Sequence, residues 1–141
     1  MNVDIYVHVA PSFGLAKNGR AIWLISTMTI KGPATKYGII KEENVSRRRL
    51  FLKALVTAQE QLTKKCYITL HVDDEYFKNV IYRGLLNKWS KNGYKSARGV
   101  SIKNADLWQK VYEISNKHLI KISDNPEHEY KSWMITQIRR M

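Results

Sequence analysis

A single cysteine, Cys66, occurs among 141 residues, so no internal disulfide is available and packing alone must hold the chain. That usage fits a reducing compartment, and a cytoplasmic setting is the expectation. Three prolines and seven glycines leave no linker, repeat or low-complexity stretch, which points to one domain over residues 1–141. No apolar run approaches the ~20 residues needed to span a bilayer, and Met1-Asn2-Val3-Asp4 lacks the basic-then-apolar layout of a secretion leader. No membrane partner is expected. No Ser-His-Asp or Cys-His spacing is present, and Gly14 and Gly19 read as loop glycines without a phosphate-cradling pattern. Acidic residues are also scarce. Twelve Asp and Glu face twenty-four Lys and Arg, a net charge of +12. Such a surface favours a polyanionic partner, because neutralising phosphates releases condensed counterions; a merely solvated lysine-rich surface is the plain alternative.

What is present is regular patterning. Residues 3–7 alternate and stay apolar, which reads as a strand, and residues 20–30 and 36–40 read as two more, separated by the Lys31-Gly32-Pro33 turn. Residues 11–19 read as a loop. Leu50, Leu52, Leu55, Val56, Ala58, Gln59 and Leu62 predict an amphipathic helix from about 44 to 64, capped by Asn44 or Ser46. A buried strand over 66–72 follows, with Cys66 as a core residue. Short helices are expected over 74–81 and 84–91, and a longer one over 104–117. A last strand at 118–122 precedes a terminal helix starting at Asp124-Asn125-Pro126. Three hairpin-linked strands followed by helix-crossover strands predict an α/β fold with a mixed five-stranded sheet flanked by helices.

Particular residues sharpen this order. Ile68-Thr69-Leu70-His71-Val72-Asp73-Asp74-Glu75-Tyr76 carries an Asp after an apolar strand with a Tyr three residues later. The basic, aromatic stretch Lys88-Trp89-Ser90-Lys91-Asn92-Gly93-Tyr94-Lys95-Ser96 leads into Ile102-Lys103-Asn104-Ala105-Asp106-Leu107-Trp108-Gln109. With Val3-Asp4-Ile5-Tyr6 at the start, these segments resemble the type 1 ribonuclease H family over most of the chain. The likeness is strongest from Ile68 to Tyr112 and weak after Ile122. It implies a ribonuclease H-like fold: three antiparallel strands, then parallel crossovers.

Enzymes of that family cut the RNA of an RNA–DNA hybrid with four carboxylates gathering two Mg²⁺ ions, which as hard cations take oxygen ligands. The resemblance places those carboxylates at four positions of this sequence. His8 stands where the first-strand Asp belongs. Ser46-Arg47-Arg48-Arg49-Leu50 is set against an Asn-Arg-x-Glu-Leu motif, which puts Arg49 at the helix Glu. Asp73 is kept, and Ser132 is nearest to the last Asp, whose preceding Gly-His loop is missing. Since guanidinium does not deprotonate in this pH range, Arg49 there predicts no bound metal and no cofactor. The expectation is that Arg49 pairs with Asp73; the alternative is that Arg47, Arg48 and Arg49 face solvent near Glu42 and Glu43. A weaker reading makes His8, Asp73 and Asp74 or His71 ligands of one transition metal. His128, between Glu127 and Glu129, reads as part of a solvated helix face.

The remaining surface resembles the basic protrusion with which family members grip the DNA strand of the hybrid. Lys88, Trp89, Lys91, Tyr94, Lys95 and Arg98 interleave cations with aromatics, which suits phosphate contact and stacking. Trp108 is expected in the core, and Trp89 and Tyr94 partly exposed. Arg47 and Arg48 extend the basic track, with Asn44 and Ser46 beside a phosphate position, although residues 11–19 lack the family's Gly-rich pattern apart from Asn18. The expected function is that of a catalytically inactive ribonuclease H-like protein holding a hybrid or structured duplex with low sequence specificity. Two alternatives remain: a protein-interaction module of a phage, mobile element or larger assembly, meeting an acidic protein; or a nuclease with ligands relocated to Asp73, Asp74 and Glu75.

Overall fold

The computed structural model describes residues 1–12, 14–123, 125 and 128–140. Strands β1 (Asn2–Val9), β2 (Leu15–Thr29) and β3 (Gly32–Ser46) run as a meander into helix α1 (Arg47–Glu60). Strand β4 (Tyr67–His71) follows, then helices α2 (Glu75–Tyr82), α3 (Leu85–Lys91) and α4 (Ala105–Ser115), strand β5 (Leu119–Ser123) and helix α5 (Lys131–Arg139). The sheet order is β3-β2-β1-β4-β5, antiparallel across β1–β2 and β2–β3 and parallel across β1–β4 and β4–β5. This is the mixed five-stranded sheet that the element order predicts.

Strand alternation divides the core in two. Val3, Ile5, Val7 and Val9 of β1 join Ala21, Trp23 and Ile25 of β2 on the face covered by α1, whereas Tyr6, Ile22 and Leu24 point to the other face and meet Met134 and Ile138 of α5. Helix α1 lies between the sheet and α4, so its buried surface reaches round to Leu50, Phe51, Leu52, Leu55 and Gln59. Each of those leucines contributes roughly 1.5–3 kcal/mol by leaving water. Trp108 of α4 is 1% exposed, stacked on Phe77 with ring centroids 5.9 Å apart and meeting Trp89 edge-on at 5.6 Å. Cys66 is buried, as expected.

Several boundaries differ from the sequence reading. Residues 15–19 are strand rather than loop, because β2 and β3 stay paired from Thr29↔Gly32 out to Leu15↔Ser46. Gly19 belongs to that strand for a steric reason: a Cβ there would lie 2.5 Å from a Val45 methyl. Gly38 is similar. It sits opposite Trp23, and a Cβ would come within 2.5 Å of the indole. Strand β3 therefore spans fifteen residues rather than the five expected, with Pro33 tolerated because β3 is an edge. Helix α1 begins at Arg47 because Ser46, in extended conformation, accepts the Arg49 N–H on its Oγ at 3.1 Å; Asn44 stays in β3 at φ 50°. The terminal helix starts at Lys131, not near residue 124, and Asp124 and Pro126 lie outside the described residues. Among the described residues, no helix is long and apolar enough to cross a membrane.

Candidate functional site

The C-terminal end of β1, the first turn and a half of α1, the end of β4 and the segment entering α5 enclose a pocket of about 120 Å³. Parallel pairing matches Tyr6 of β1 with His71 of β4, so His8 and Asp73, each two residues further on, both reach the pocket. His8 is half-buried. Burial, then the positive charges of Arg47 and Lys131, hold its imidazole below the usual 6.5. Asp74 also lines the pocket, but its Oδ1 caps α2 by accepting the Phe77 N–H at 2.8 Å. Asp73 is exposed at the opening.

Helix α1 overturns one expectation here. Arg49 does not pair with Asp73 and does not line the pocket. Its two terminal nitrogens donate to the carboxylate of Asp106 at 3.0 and 2.8 Å, and Nη1 also donates to Asn104 Oδ1 at 3.2 Å. Nor do all three arginines simply face solvent. Arg47 lines the pocket, and the Arg48 guanidinium lies over the Tyr76 ring at 3.7 Å. The reason is helical geometry: successive residues turn by about 100°, so Arg49, two past Arg47, points at α4. Phe51, four past Arg47, shares its face and lines the pocket instead. Arg49-Leu50-Phe51-Leu52 fits the Arg-x-Glu-Leu spacing as well as Arg47-Arg48-Arg49-Leu50 does. The cap at Ser46 selects the former, so a phenylalanine occupies the side of α1 assigned above to Arg49.

Ser132 is exposed on α5 and does not line the pocket; its neighbour Lys131 does. His128 is not part of a solvated helix face either. It precedes α5, is half-buried, and its ring lies 4.5 Å from that of Tyr6; Glu127 is outside the described residues. Tyr6 also stacks on His71 at 4.2 Å and meets Tyr130 edge-on at 5.0 Å. His71 Nε2 and Asp4 Oδ1 are hydrogen-bonded at 2.8 Å. Burial, then Asp4, pushes the Tyr6 hydroxyl well above its usual 10. The signal for this cluster was the alternation that sets Asp4, Tyr6 and His71 on one face of the sheet.

The donor set does not suit two Mg²⁺ ions. Arg47, Lys131 and Phe51 take walls around His8, and of the two carboxylates that line the pocket among the described residues, Asp73 and Asp74, the second is committed to a helix cap. Among the described residues, no three His, Cys, Asp or Glu side chains are grouped to hold a metal ion.

The second surface is the α3–α4 region. Lys88, Lys91, Lys95 and Arg98 are exposed, while Trp89 and Tyr94 are half-buried against the core. The segment between the helices is tied by its backbone: the Tyr94 N–H donates to Trp89 O at 2.7 Å, and the Ile102 N–H to Tyr94 O at 2.8 Å. Asn44 is exposed and Ser46 is engaged in its cap.

The RNase H family profile matches residues 12–131 of the chain. The chain belongs to the RNase H family. Among curated relatives, this RNase H-family chain is 33% identical over 87 residues to Ribonuclease H of Caldicellulosiruptor saccharolyticus, covering 62% of this chain and 60% of that one. It is 38% identical over 77 residues to Ribonuclease H of Francisella tularensis subsp. novicida, covering 55% and 50%. The match thus spans between half and three-fifths of the length of these relatives. Among solved structures, LC9-RNase H1, a type 1 RNase H with the type 2 active-site motif, superposes with a TM-score of 0.73 at 18% identity, covering 99% of this chain and 71% of that one. The foamy viral protease-reverse transcriptase in complex with RNA/DNA hybrid gives 0.67 at 10% identity, covering 98% and 19%. At these identities the likeness is one of fold.

Proposed function

We propose that this chain is a nucleic-acid-binding member of the RNase H family that does not perform two-metal hydrolysis. Lys88, Lys91, Lys95 and Arg98 contact backbone phosphates, and Trp89 and Tyr94 offer ring edges to sugars or bases, with little sequence preference. A partner of this class is supported by a related fold solved with RNA/DNA hybrid and by the +12 charge. The absence of hydrolysis is carried by one observation: the pocket that should gather carboxylates has His8, Arg47, Phe51 and Lys131 in its lining beside Asp73 and a cap-bound Asp74. The curated relatives are named for an activity that this lining does not support.

The test is a binding series with hybrid, double-stranded RNA, double-stranded DNA and single strands at two salt concentrations, with and without Mg²⁺. Tight, strongly salt-dependent duplex binding unchanged by Mg²⁺, with the hybrid left intact in Mg²⁺ or Mn²⁺, is expected. Hybrid cleavage that disappears in Asp73→Asn would overturn the reading and favour relocated ligands among Asp73, Asp74 and Glu75. A second reading, docking on an acidic protein, draws on the β2–β3 hairpin, where Met28 and Ile30 are 76% and 107% exposed. It gains if no nucleic acid binds.

A further inference from the structure

We propose that His118 is an acid-sensitive latch that closes the start of β4 and β5, at the opposite end of β4 from the His8 pocket. The inference goes beyond the nucleic-acid reading and does not depend on it. Cys66, the residue before β4, has both of its backbone polar groups answered by the turn that leads from α4 into β5. Its N–H donates to His118 Nδ1 at 3.0 Å, and its carbonyl accepts the Leu119 N–H at 3.0 Å. The bond to the ring is buried and joins residues 52 apart in the chain, and the His118 side of it is only 9% exposed. From there the β4–β5 ladder begins at Tyr67↔Leu119. The latch therefore sits where the two strands first meet.

A ring nitrogen that accepts a hydrogen bond offers its lone pair and carries no proton. The geometry thus selects one neutral tautomer of His118, with its proton on Nε2. A second proton has to go on Nδ1, which sets one N–H against another. The bond is then lost, and the buried Cys66 donor is left unanswered. The surroundings act in the same direction: burial, then the charge of Lys117, holds the ring below the usual 6.5. The charged groups lining the pocket around it are Glu60 of α1, Lys110 and Glu113 of α4, and Lys117 just beyond, all exposed. The two carboxylates favour a charged ring, but burial and Lys117 outweigh them. On the approach to β4, Lys64 and Lys65 are exposed, and the Cys66 thiol donates to the Lys64 carbonyl at 3.2 Å. Because the folded value is depressed, the latch is shut above 6.5 and loosens as the pH falls toward the ring's own lower value. Between those two values the ratio of open to shut rises about tenfold for each unit of pH.

The experiment follows the His118 ring nitrogens and the Cys66 and Leu119 amides by NMR on the whole chain as the pH is lowered. At neutral pH the ring should carry its proton on Nε2 alone, and the Cys66 amide should be protected from exchange. Protection is corrected for the slower intrinsic exchange in acid. At Cys66 and Leu119 it should then fall by about tenfold per pH unit below 6.5, and further than at Ile5 in the middle of the sheet. His118→Asn puts an amide oxygen near the Nδ1 position, where it accepts the Cys66 N–H without titrating. That variant should hold its protection in acid, whereas His118→Leu should lose protection at Cys66 at every pH. A wild-type ring with its proton on Nδ1 at neutral pH would overturn the proposal without any variant. So would Cys66 protection that ignores the titration of the ring, or that stays as acid-sensitive in His118→Asn as in wild type.

Discussion

The α3–α4 region and the pocket at the end of β1 and β4 belong to one fold yet are built by different rules. The first is local. Trp89, Tyr94 and Trp108 occupy positions fixed by helix periodicity and by backbone bonds between near neighbours, and the intervening lysines have nowhere to go but outward. The second is assembled from β1, α1, β4 and the approach to α5, four segments distant in sequence. A two-residue difference in the register of α1 replaces the lining of the second. Family membership therefore says more about the first region than about the second.

Breaking the local region should cost the most. Trp108→Ala removes a ring 1% exposed between Phe77 and Trp89, and should lower unfolding free energy by about 3–5 kcal/mol in urea titrations. A loss under 1 kcal/mol would mean that this region is loosely packed. Next comes the charge of the α3–α4 surface. Replacing Lys88, Lys91, Lys95 and Arg98 together by Ala should flatten the slope of log binding constant against log salt by about 3–4, measured with any duplex. An unchanged slope would move the interface elsewhere.

The contact joining the two regions is weaker. Asp106→Asn interrupts the fork with Arg49, whose partners are 32% and 61% exposed, so its effect should be at most about 1 kcal/mol. The Arg49 hydrogen bonds hold the Asp106 carboxyl below its ordinary 3.8, so folding is favoured by its ionisation. That contribution is present above pH ~4 and fades as the pH falls through the depressed value, so wild type and Asp106→Asn should converge in acid. The smallest effect belongs to the pocket. His8 is depressed, so the unfolded chain takes up a proton near the usual 6.5 that the folded chain refuses. Stability should fall slightly as the pH drops through and below that value, and His8→Gln should remove this part of the slope; a slope of opposite sign would mean that burial and the neighbouring cations do not disfavour the charged ring.

Much of the fold was legible in the sequence because strand alternation, helix periodicity and the motif around Trp108 are each written over neighbouring residues. Three things were not. The long β2–β3 ladder was hidden because Gly19 looks like a loop residue until Val45 is seen filling the space beside it. The Arg49 partnership was hidden because two registers of one short motif fit equally well, and only the Ser46 cap decides between them. The His71–Tyr6–His128 stack depends on β1, β4 and the approach to α5 meeting, which no window of sequence contains.

The gap at Gly38 has a consequence for how the chain finds this fold. A hairpin with fifteen-residue arms rich in Ile and Thr has many near-equivalent ways to zip, and sliding by two residues keeps every side chain on its proper face. Such a slip would set Lys36 or Ile40 opposite the Trp23 indole, where only a residue without a Cβ fits. Trp23 and Gly38 thus work as key and notch. They turn a ladder that could settle in several alignments into one with a single stop.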